Sequence, residues 1–207
     1  LHDANIGLYR RLSDLLSAPE TSDPVKVYIK KKHLSVDQPD FSRKLNVEGF
    51  NYSLWLDAER SACFFTNHVL ICEGATEKAV LDYLIESKWT DLANGRLYVL
   101  NALGKFNIHR FMGLCGAMGV PHSVLFDGDG NTDVHEYINN FIRDMSNDQT
   151  VALDSFDIDL ENELGLSLPK RNDLKPLCAL KAIVDGEVPD EAIEVLHRRV
   201  IALIGGG

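Results

Sequence analysis

The sequence predicts an α/β fold in which helices flank a parallel sheet, with an additional helical and mixed segment attached. Three short apolar runs, at residues 68–72, 96–100 and 121–126, have the length of strands that are buried on both faces. Each run is followed by a segment with the apolar spacing of an amphipathic helix. Strands and helices that alternate in this way form right-handed crossovers, and such crossovers produce a parallel sheet.

The individual elements follow from apolar spacing, capping residues and breaks. Val80, Leu81, Leu84 and Ile85 recur on one helical face, and Gly119 is typical of the position just past a helix end. Helices are predicted at 4–17, 54–65, 75–87, 107–118, 132–145, 159–166, 173–184 and 189–204. Strands are predicted at 25–36, 41–47, 68–72, 96–100, 121–126 and 151–158.

These elements divide the chain into three parts. Residues 1–65 are expected to form an N-terminal helical and β-hairpin segment that packs on the core, residues 66–160 the central domain, and residues 161–207 a C-terminal helical segment. The 207 residues, 45% of them hydrophobic, suffice for one domain with a core and a helical appendage. The chain begins with Leu1 rather than Met, so we expect a fragment of a longer protein.

Cysteine usage and the length of the apolar runs predict a reduced, cytoplasmic setting. The four cysteines form no C-x-x-C pair, which argues against zinc ligands and against a disulfide framework. No apolar run approaches the roughly 20 residues needed to span a bilayer, so no membrane partner is expected. The first residues show neither the basic nor the apolar region of a signal peptide.

The charge balance bears on nucleic acid as a partner. A formal net charge of -10 argues against phosphate binding when it is taken alone. However, the stretch from Lys26 to Lys32 is basic, and much of the acid lies after residue 120. Acid that is concentrated around one site can form a metal cage, which reverses its charge when cations bind. The distribution therefore softens the objection to a nucleic-acid partner, and the basic stretch motivates the hypothesis that it follows a DNA backbone.

Two glutamates lie where the first strand of the predicted sheet ends. Glu73 comes directly after the strand at 68–72, and Gly74 permits a tight turn into the next helix. Glu77 follows four residues later, in the first helical turn. The functional crevice of an open α/β sheet lies at the carboxyl ends of its strands, so we expect both carboxylates there. A plain helix-terminal role for Glu77 is the alternative.

Two aspartates follow the strand at 121–126. Asp127 comes directly after it, and Asp129 is expected to point to the same side of an extended segment. Gly128 and Gly130 let the backbone bend around a ligand, although a plain turn is the alternative. Four carboxylates that converge from two strand ends repel one another unless cations neutralise them. Oxygen ligands alone favour Mg²⁺, Mn²⁺ or Ca²⁺ over zinc.

These motifs resemble those of a known family. The run from Glu73 to Glu77 after a strand, followed by Asp127-Gly128-Asp129, resembles the TOPRIM signature of topoisomerases, DnaG-type primases and several nucleases. The chain from about residue 54 to about residue 184 is similar to the C-terminal TOPRIM region of the OLD (overcoming lysogenization defect) nucleases. The segments that carry this closer similarity are Leu56–Arg60, Gly104–Ile108 and Asp173–Pro176.

The resemblance implies a TOPRIM-type, Rossmann-like sheet and a DNA endonuclease that hydrolyses phosphodiester bonds with two metal ions. It implies Mg²⁺ or Mn²⁺ as the active ions, with Ca²⁺ binding without supporting turnover. Glu77 and Asp127 are expected to hold one ion, and Glu73 and Asp129 are expected to hold or orient the other.

A later part of the chain is expected to complete the site. The resemblance implies a further acidic motif, which Asp159-Leu160-Glu161 matches, so Asp159 and Glu161 are candidate metal ligands. A helix-capping acid pair is the alternative for these two residues. Lys175 is expected to stabilise charge on the scissile phosphate, which makes Glu77, Asp127 and Lys175 the expected catalytic residues.

The family usually carries an ABC-type ATPase before this region, and the sequence contains no P-loop motif. We therefore expect an ATPase region outside this chain as a partner, together with a homodimer formed through it. Two other interpretations stay open: a primase- or topoisomerase-like TOPRIM domain, and a non-catalytic, metal-stabilised assembly module. A topoisomerase would need a nucleophilic tyrosine, whereas Tyr83, Tyr98 and Tyr137 fall inside apolar patterns and are expected to pack.

Two further kinds of polar residue stand near the motifs. Lys105 is expected to cap a helix or lie on the surface, with a phosphate contact as the alternative. No metal is assigned to His109, His122 or His135, because they are scattered along the chain.

Overall fold

The central and C-terminal parts of the chain form a parallel α/β fold. The computed structural model describes residues 10, 12–23, 26–27, 30, 58–93, 97–131, 133–169 and 171–205. The strands of this region are β1 (His68–Cys72), β2 (Leu97–Asn101), β3 (His122–Phe126) and β4 (Thr150–Ser155). The α-helices from residue 58 onward are α1 (Ala58–Ser61), α2 (Ala75–Ser87), α3 (Thr90–Ala93), α4 (Ile108–Met118), α5 (Asp133–Asp144), α6 (Leu160–Glu163), α7 (Lys175–Val184) and α8 (Asp190–Leu203). Short 3₁₀ turns lie at Ala62–Phe65, Lys105–Asn107 and Asp129–Asn131.

The four strands pair in parallel in the order β2-β1-β3-β4, which confirms the predicted sheet. Strand β1 is paired on both sides, so that Cys72 lies between Asn101 of β2 and Leu125 of β3. The carboxyl ends of β1 and β3 therefore lie side by side in the centre of the sheet. Glu73 and Asp127, which follow these two strands, are brought to the same edge.

Side chains of the central strands alternate between two apolar layers, because successive strand residues point to opposite faces. Leu70 and Cys72 pack with apolar side chains of α2, α7 and α8 on one face. Val69 and Ile71 pack with those of α4 and α5 on the other. Strand β3 is buried at each of its five positions. Helices on both faces thus fix the strand ends that carry the acidic residues.

The N-terminal part departs from the prediction. Residues 12–17 are helical, as expected within the helix predicted at 4–17. The strand predicted at 25–36 is wrong at its described positions, because residues 26, 27 and 30 are helical. The Lys26 N–H donates to the Ser22 carbonyl over 3.1 Å, which is the i to i−4 bond of a helix. Local helix initiation therefore outweighs the weak alternation of apolar residues. The strand predicted at 41–47 lies outside the described residues.

Several predicted element ends shift in the structure. The helix predicted at 54–65 consists of α1 and a 3₁₀ turn in its described part. Strand β4 ends at Ser155, and α6 covers only four residues before Gly165 adopts a φ of +67°. Helix α3 is absent from the sequence prediction because four residues are too few to show a periodic pattern. None of the helices in the described ranges is long and apolar enough to cross a membrane.

Candidate active site

The turn between β1 and α2 carries two glutamates at the carboxyl edge of the sheet. Glu73 follows β1, and Glu77 lies in the first turn of α2 with only 6% of the residue exposed. A Cβ atom on Gly74 would lie 3.0 Å from Glu77 Oε2, so the Glu77 carboxylate folds back over the turn. A hydrogen bond with the backbone at the N-cap residue Gly74 gives Glu77 the role of the glutamate in a capping box, without the reciprocal bond, because glycine has no side chain. The helix-capping alternative is thus true of Glu77, yet the carboxylate remains at the site.

The loop after β3 turns sharply at Asp129. A Cβ atom on Gly128 would lie 2.3 Å from the Phe156 carbonyl oxygen, so only glycine allows the loop to approach the end of β4 this closely. The Asp129 N–H donates to the Ile158 carbonyl over 2.9 Å, and Asp129 has a left-handed φ of +53°. The prediction that Asp127 and Asp129 lie in one extended segment is therefore wrong. The turn therefore separates the direction of the Asp129 side chain from that expected of an extended segment.

Five acidic residues form what we call the carboxylate cluster: Glu73, Glu77, Asp127, Asp129 and Glu161. Burial raises the pKa of Asp127 to about 9, and repulsion from the other four carboxylates adds to the rise. Burial also raises the pKa of Glu77 to about 7, with further contributions from Glu73 and Glu161. The pKa of Glu73 is raised mainly by burial. The cluster therefore needs more positive charge than its surroundings provide.

Two oxygens of the carboxylate cluster, Glu73 Oε2 and Asp127 Oδ1, are buried with no hydrogen-bond partner among the described residues. A buried carboxylate oxygen without a partner is costly, and a bound cation removes that cost. Carboxylate oxygens are the ligands that Mg²⁺ and Mn²⁺ prefer. The donor set thus fits divalent ions. In the described ranges, however, no three His, Cys, Asp or Glu side chains already stand grouped around one ion position.

Lys105 neutralises part of the cluster, contrary to its expected place at a cap or on the surface. Its side chain is 2% exposed and pairs with Asp129 Oδ2. Its ammonium also donates to the Asp127 carbonyl oxygen over 2.5 Å. His135 Nδ1 reaches the same Asp129 oxygen at 2.7 Å. Burial would raise the pKa of Asp129, but the hydrogen bonds from His135 and Lys105 outweigh it and lower the pKa.

The late motif joins the cluster through a second lysine. Lys175, the first residue of α7, donates to Glu161 Oε1 over 2.7 Å, and this hydrogen bond raises the pKa of Lys175. Asp159 caps α6, because its Oδ1 accepts the Asn162 N–H over 2.7 Å. The helix-capping alternative therefore holds for Asp159, whereas Glu161 contributes directly to the cluster.

The predictions for the tyrosines are confirmed in part, and the prediction for the basic stretch is not tested. Tyr83 and Tyr98 are partly buried against the two apolar layers, which confirms their expected packing. Tyr137 lies on α5 with 36% of the residue exposed, so its expected packing is wrong. In an amphipathic helix, a residue next to a core position in the sequence can lie on the solvent side, as Tyr137 does.

The stretch from Lys26 to Lys32 is described only at residues 26, 27 and 30, and its DNA contact stays a prediction.

A parallel sheet with Glu73 and Glu77 after one central strand and Asp127 and Asp129 after the other is consistent with a domain of the TOPRIM type. Residues 64–129 match the family model of the overcoming lysogenization defect protein-like TOPRIM domain. This match confirms the resemblance for that segment, which contains Lys105 and ends before Glu161. No curated protein matches the chain. The domain type indicates divalent-metal binding and nucleic-acid processing of the nuclease, primase or topoisomerase kind.

Proposed function

We propose that this chain is a metal-dependent DNA endonuclease and the catalytic part of a longer ATPase–nuclease. The observation that carries the proposal is a pair of buried oxygens, on Glu73 and Asp127 at adjoining strand ends, that have no hydrogen-bond partner among the residues that the structure describes. A purely structural acidic cluster would have these oxygens satisfied by protein donors, because leaving them unpaired costs stability. We assign the site to two divalent ions, Mg²⁺ or Mn²⁺. We expect Ca²⁺ to bind without supporting turnover.

The proposed ligands divide between two ions. Glu77 and Asp127 hold one ion, and Glu73, Asp129 and Glu161 hold or orient the other. The contacts that Lys105 and His135 make with Asp129 are both made to Oδ2. Asp159 is a candidate at the rim of the site, since its cap engages only Oδ1.

The chain's own residues orient the substrate around these ions. When bound, the ions would activate a water molecule and stabilise the leaving oxygen of the phosphodiester. Lys175 is 32% exposed, and its ammonium bonds Glu161 of the carboxylate cluster. From there it can meet a non-bridging oxygen of the scissile phosphate and stabilise the charge that develops there.

The proposal includes partners outside the site. We expect the DNA backbone to follow the basic stretch from Lys26 to Lys32, and we expect an ATPase region to precede this chain. A homodimer would form through that region, and the protein would act in the cytoplasm. These expectations follow from the family resemblance and the charge pattern.

A nicking assay on supercoiled plasmid with Mg²⁺ or Mn²⁺ tests the activity. Wild type should nick the plasmid, and Glu77→Ala or Asp127→Ala should abolish nicking while circular dichroism stays unchanged. Asp148→Ala, at an exposed position, is the matched control and should nick at the wild-type rate. Nicking by Asp127→Ala at the wild-type rate would rule out the proposed ion site. Nucleotide polymerisation or a covalent tyrosine–DNA adduct would instead favour the primase or topoisomerase alternative.

A further inference from the structure

We propose that Lys105 is a built-in counter-ion that competes with a metal ion for Asp129 and thereby weakens the affinity of the site for divalent cations. This inference rests on the proposed metal site. It assigns Lys105 the role of setting the affinity for the ion, rather than contact with the substrate.

The first support is the way the backbone delivers Lys105 to the cluster. The loop after β2 is tied to the end of β1, because the Gly104 N–H donates to the Glu73 carbonyl over 2.7 Å. Gly104 has a φ of +110°, a conformation that other residues rarely adopt, and it turns the chain into the site. Lys105 starts the 3₁₀ turn that follows. Its ammonium is thus carried from the β2 side of the sheet across β1 to the loop after β3.

The second support is the set of partners of the buried ammonium. Lys105 Nζ donates to the Asp127 carbonyl oxygen over 2.5 Å, pairs with Asp129 Oδ2 and lies 5.8 Å from the centre of the Phe126 ring. The Lys105 side chain is only 2% exposed, and lysine is rarely buried to this extent unless its charge is paired. Its charge also reaches Glu73, whose pKa is raised mainly by burial and is lowered in part by Lys105. Lys105 therefore neutralises the cluster from inside.

Competition follows from these contacts. A divalent ion bound at Asp129 would be attracted by the Asp129 carboxylate and repelled by the Lys105 ammonium that pairs with it. The ion therefore gains less binding free energy at Asp129 than it would at a carboxylate that is not paired with a lysine. Such a coupling between two ligands of one group is typically worth 5- to 150-fold in affinity, by order of magnitude. Removing the charge of Lys105 should tighten ion binding.

A purely structural role for Lys105 predicts the opposite sign. If Lys105 only ties the loop of Asp129 in place, its removal would loosen a ligand and weaken ion binding. His135 Nδ1 lies 2.7 Å from Asp129 Oδ2, and this contact does not involve Lys105, so we expect the carboxylate to keep it when Lys105 is replaced. The direction of the affinity change therefore separates the two roles.

Lys78 provides a matched control. Its ammonium also bonds a carboxylate and a carbonyl, at 2.8 Å to Asp82 Oδ2 and at 3.0 Å to the Val99 oxygen. Asp82 is not a member of the carboxylate cluster. Lys78→Met thus removes one positive charge from a similar setting next to the site but outside it.

The experiment is a calorimetric titration of Mn²⁺ into the full chain at constant pH and ionic strength. We expect Lys105→Met and Lys105→Gln to bind Mn²⁺ at least about fivefold more tightly than wild type, and Lys78→Met to differ by less than about twofold. Lys105→Gln keeps hydrogen-bond donors without the charge, and it serves if Lys105→Met does not fold. Thermal unfolding should show both Lys105 variants less stable than wild type in EDTA and more strongly stabilised by Mn²⁺.

Unchanged or weaker Mn²⁺ binding by the Lys105 variants, with binding by wild type intact, would overturn this inference alone. An equal increase in Mn²⁺ affinity in Lys78→Met would also overturn the inference. The loss of any nearby positive charge would then tighten Mn²⁺ binding, whether or not it contacts Asp129. Wild type that binds no Mn²⁺ would overturn the metal site and this inference together.

Discussion

Replacing Asp127 with asparagine should stabilise the metal-free protein. Burial and the neighbouring carboxylates raise the pKa of Asp127 from 3.8 to about 9. Above about pH 4 the unfolded chain therefore binds fewer protons than the folded chain, and the free energy of unfolding falls as the pH rises toward 9. At about 1.4 kcal/mol per unit, the loss reaches about 4 kcal/mol near pH 7. Asparagine keeps the shape of the side chain without this loss, so a gain of up to about 4 kcal/mol is expected.

Urea denaturation in EDTA measures this effect directly. The advantage of Asp127→Asn should shrink from about 4 kcal/mol at pH 7 to between about 1 and 2 kcal/mol at pH 5. The control Asp148→Asn, at an exposed position, should stay within about 0.5 kcal/mol of wild type at both values. Excess Mn²⁺ should stabilise wild type more than Asp127→Asn. If Asp127→Asn is no more stable than wild type at pH 7 in EDTA, the argument from burial and repulsion is refuted.

Three further predictions concern the phosphate, the loop and the DNA path. Lys175→Met should lower the single-turnover cleavage rate about 100-fold, or roughly 2.7 kcal/mol of transition-state stabilisation, and a rate within a few-fold of wild type would return Lys175 to a structural role. Gly128→Ala should lower the free energy of unfolding by between about 1 and 3 kcal/mol, because the new Cβ would meet the Phe156 carbonyl; an unchanged urea midpoint would contradict the close approach. Changing Lys30, Lys31 and Lys32 to alanine should flatten the salt dependence of DNA binding, by up to about 0.9 in log–log slope per lost phosphate contact. An unchanged slope would place the DNA elsewhere.

The sheet and the first four acidic residues are predictable from the sequence for a physical reason. A strand that is buried on both faces appears as a continuous apolar run, and its end is marked by the first charged residue. Glu73 and Asp127 are such residues. The carboxyl ends of parallel strands lie at one edge of the sheet. The two acidic motifs could therefore be assigned to one site without knowing which strands pair. Glu161 and Lys175 were assigned to the site by the family resemblance. They lie after the last strand of the sheet, and no apolar run directly before them marks their position.

The partners of Asp129 could not be predicted in the same way. Lys105 lies in a short turn where a lysine is ordinarily solvated, and its burial depends on how the loop after β2 crosses the end of β1. His135 approaches Asp129 because the left-handed turn at Asp129 redirects that carboxylate. The sequence signal that was available is the pair Gly104-Lys105 soon after a strand end. A glycine that turns the chain there would have placed the lysine at the functional edge of the sheet.

The charges of the site show how a chain of net charge -10 could act on a phosphodiester, as we propose. Five carboxylates meet two ammonium groups, those of Lys105 and Lys175. When every carboxylate is ionised, as a ligand of a cation would be, the negative charges exceed the positive ones by three. Two divalent ions would reverse this balance and leave a single positive charge in excess. Metal binding would therefore supply the chemistry and also make the site attractive to the phosphate of the substrate. The two lysines keep the excess of negative charge small enough for two divalent ions to reverse it.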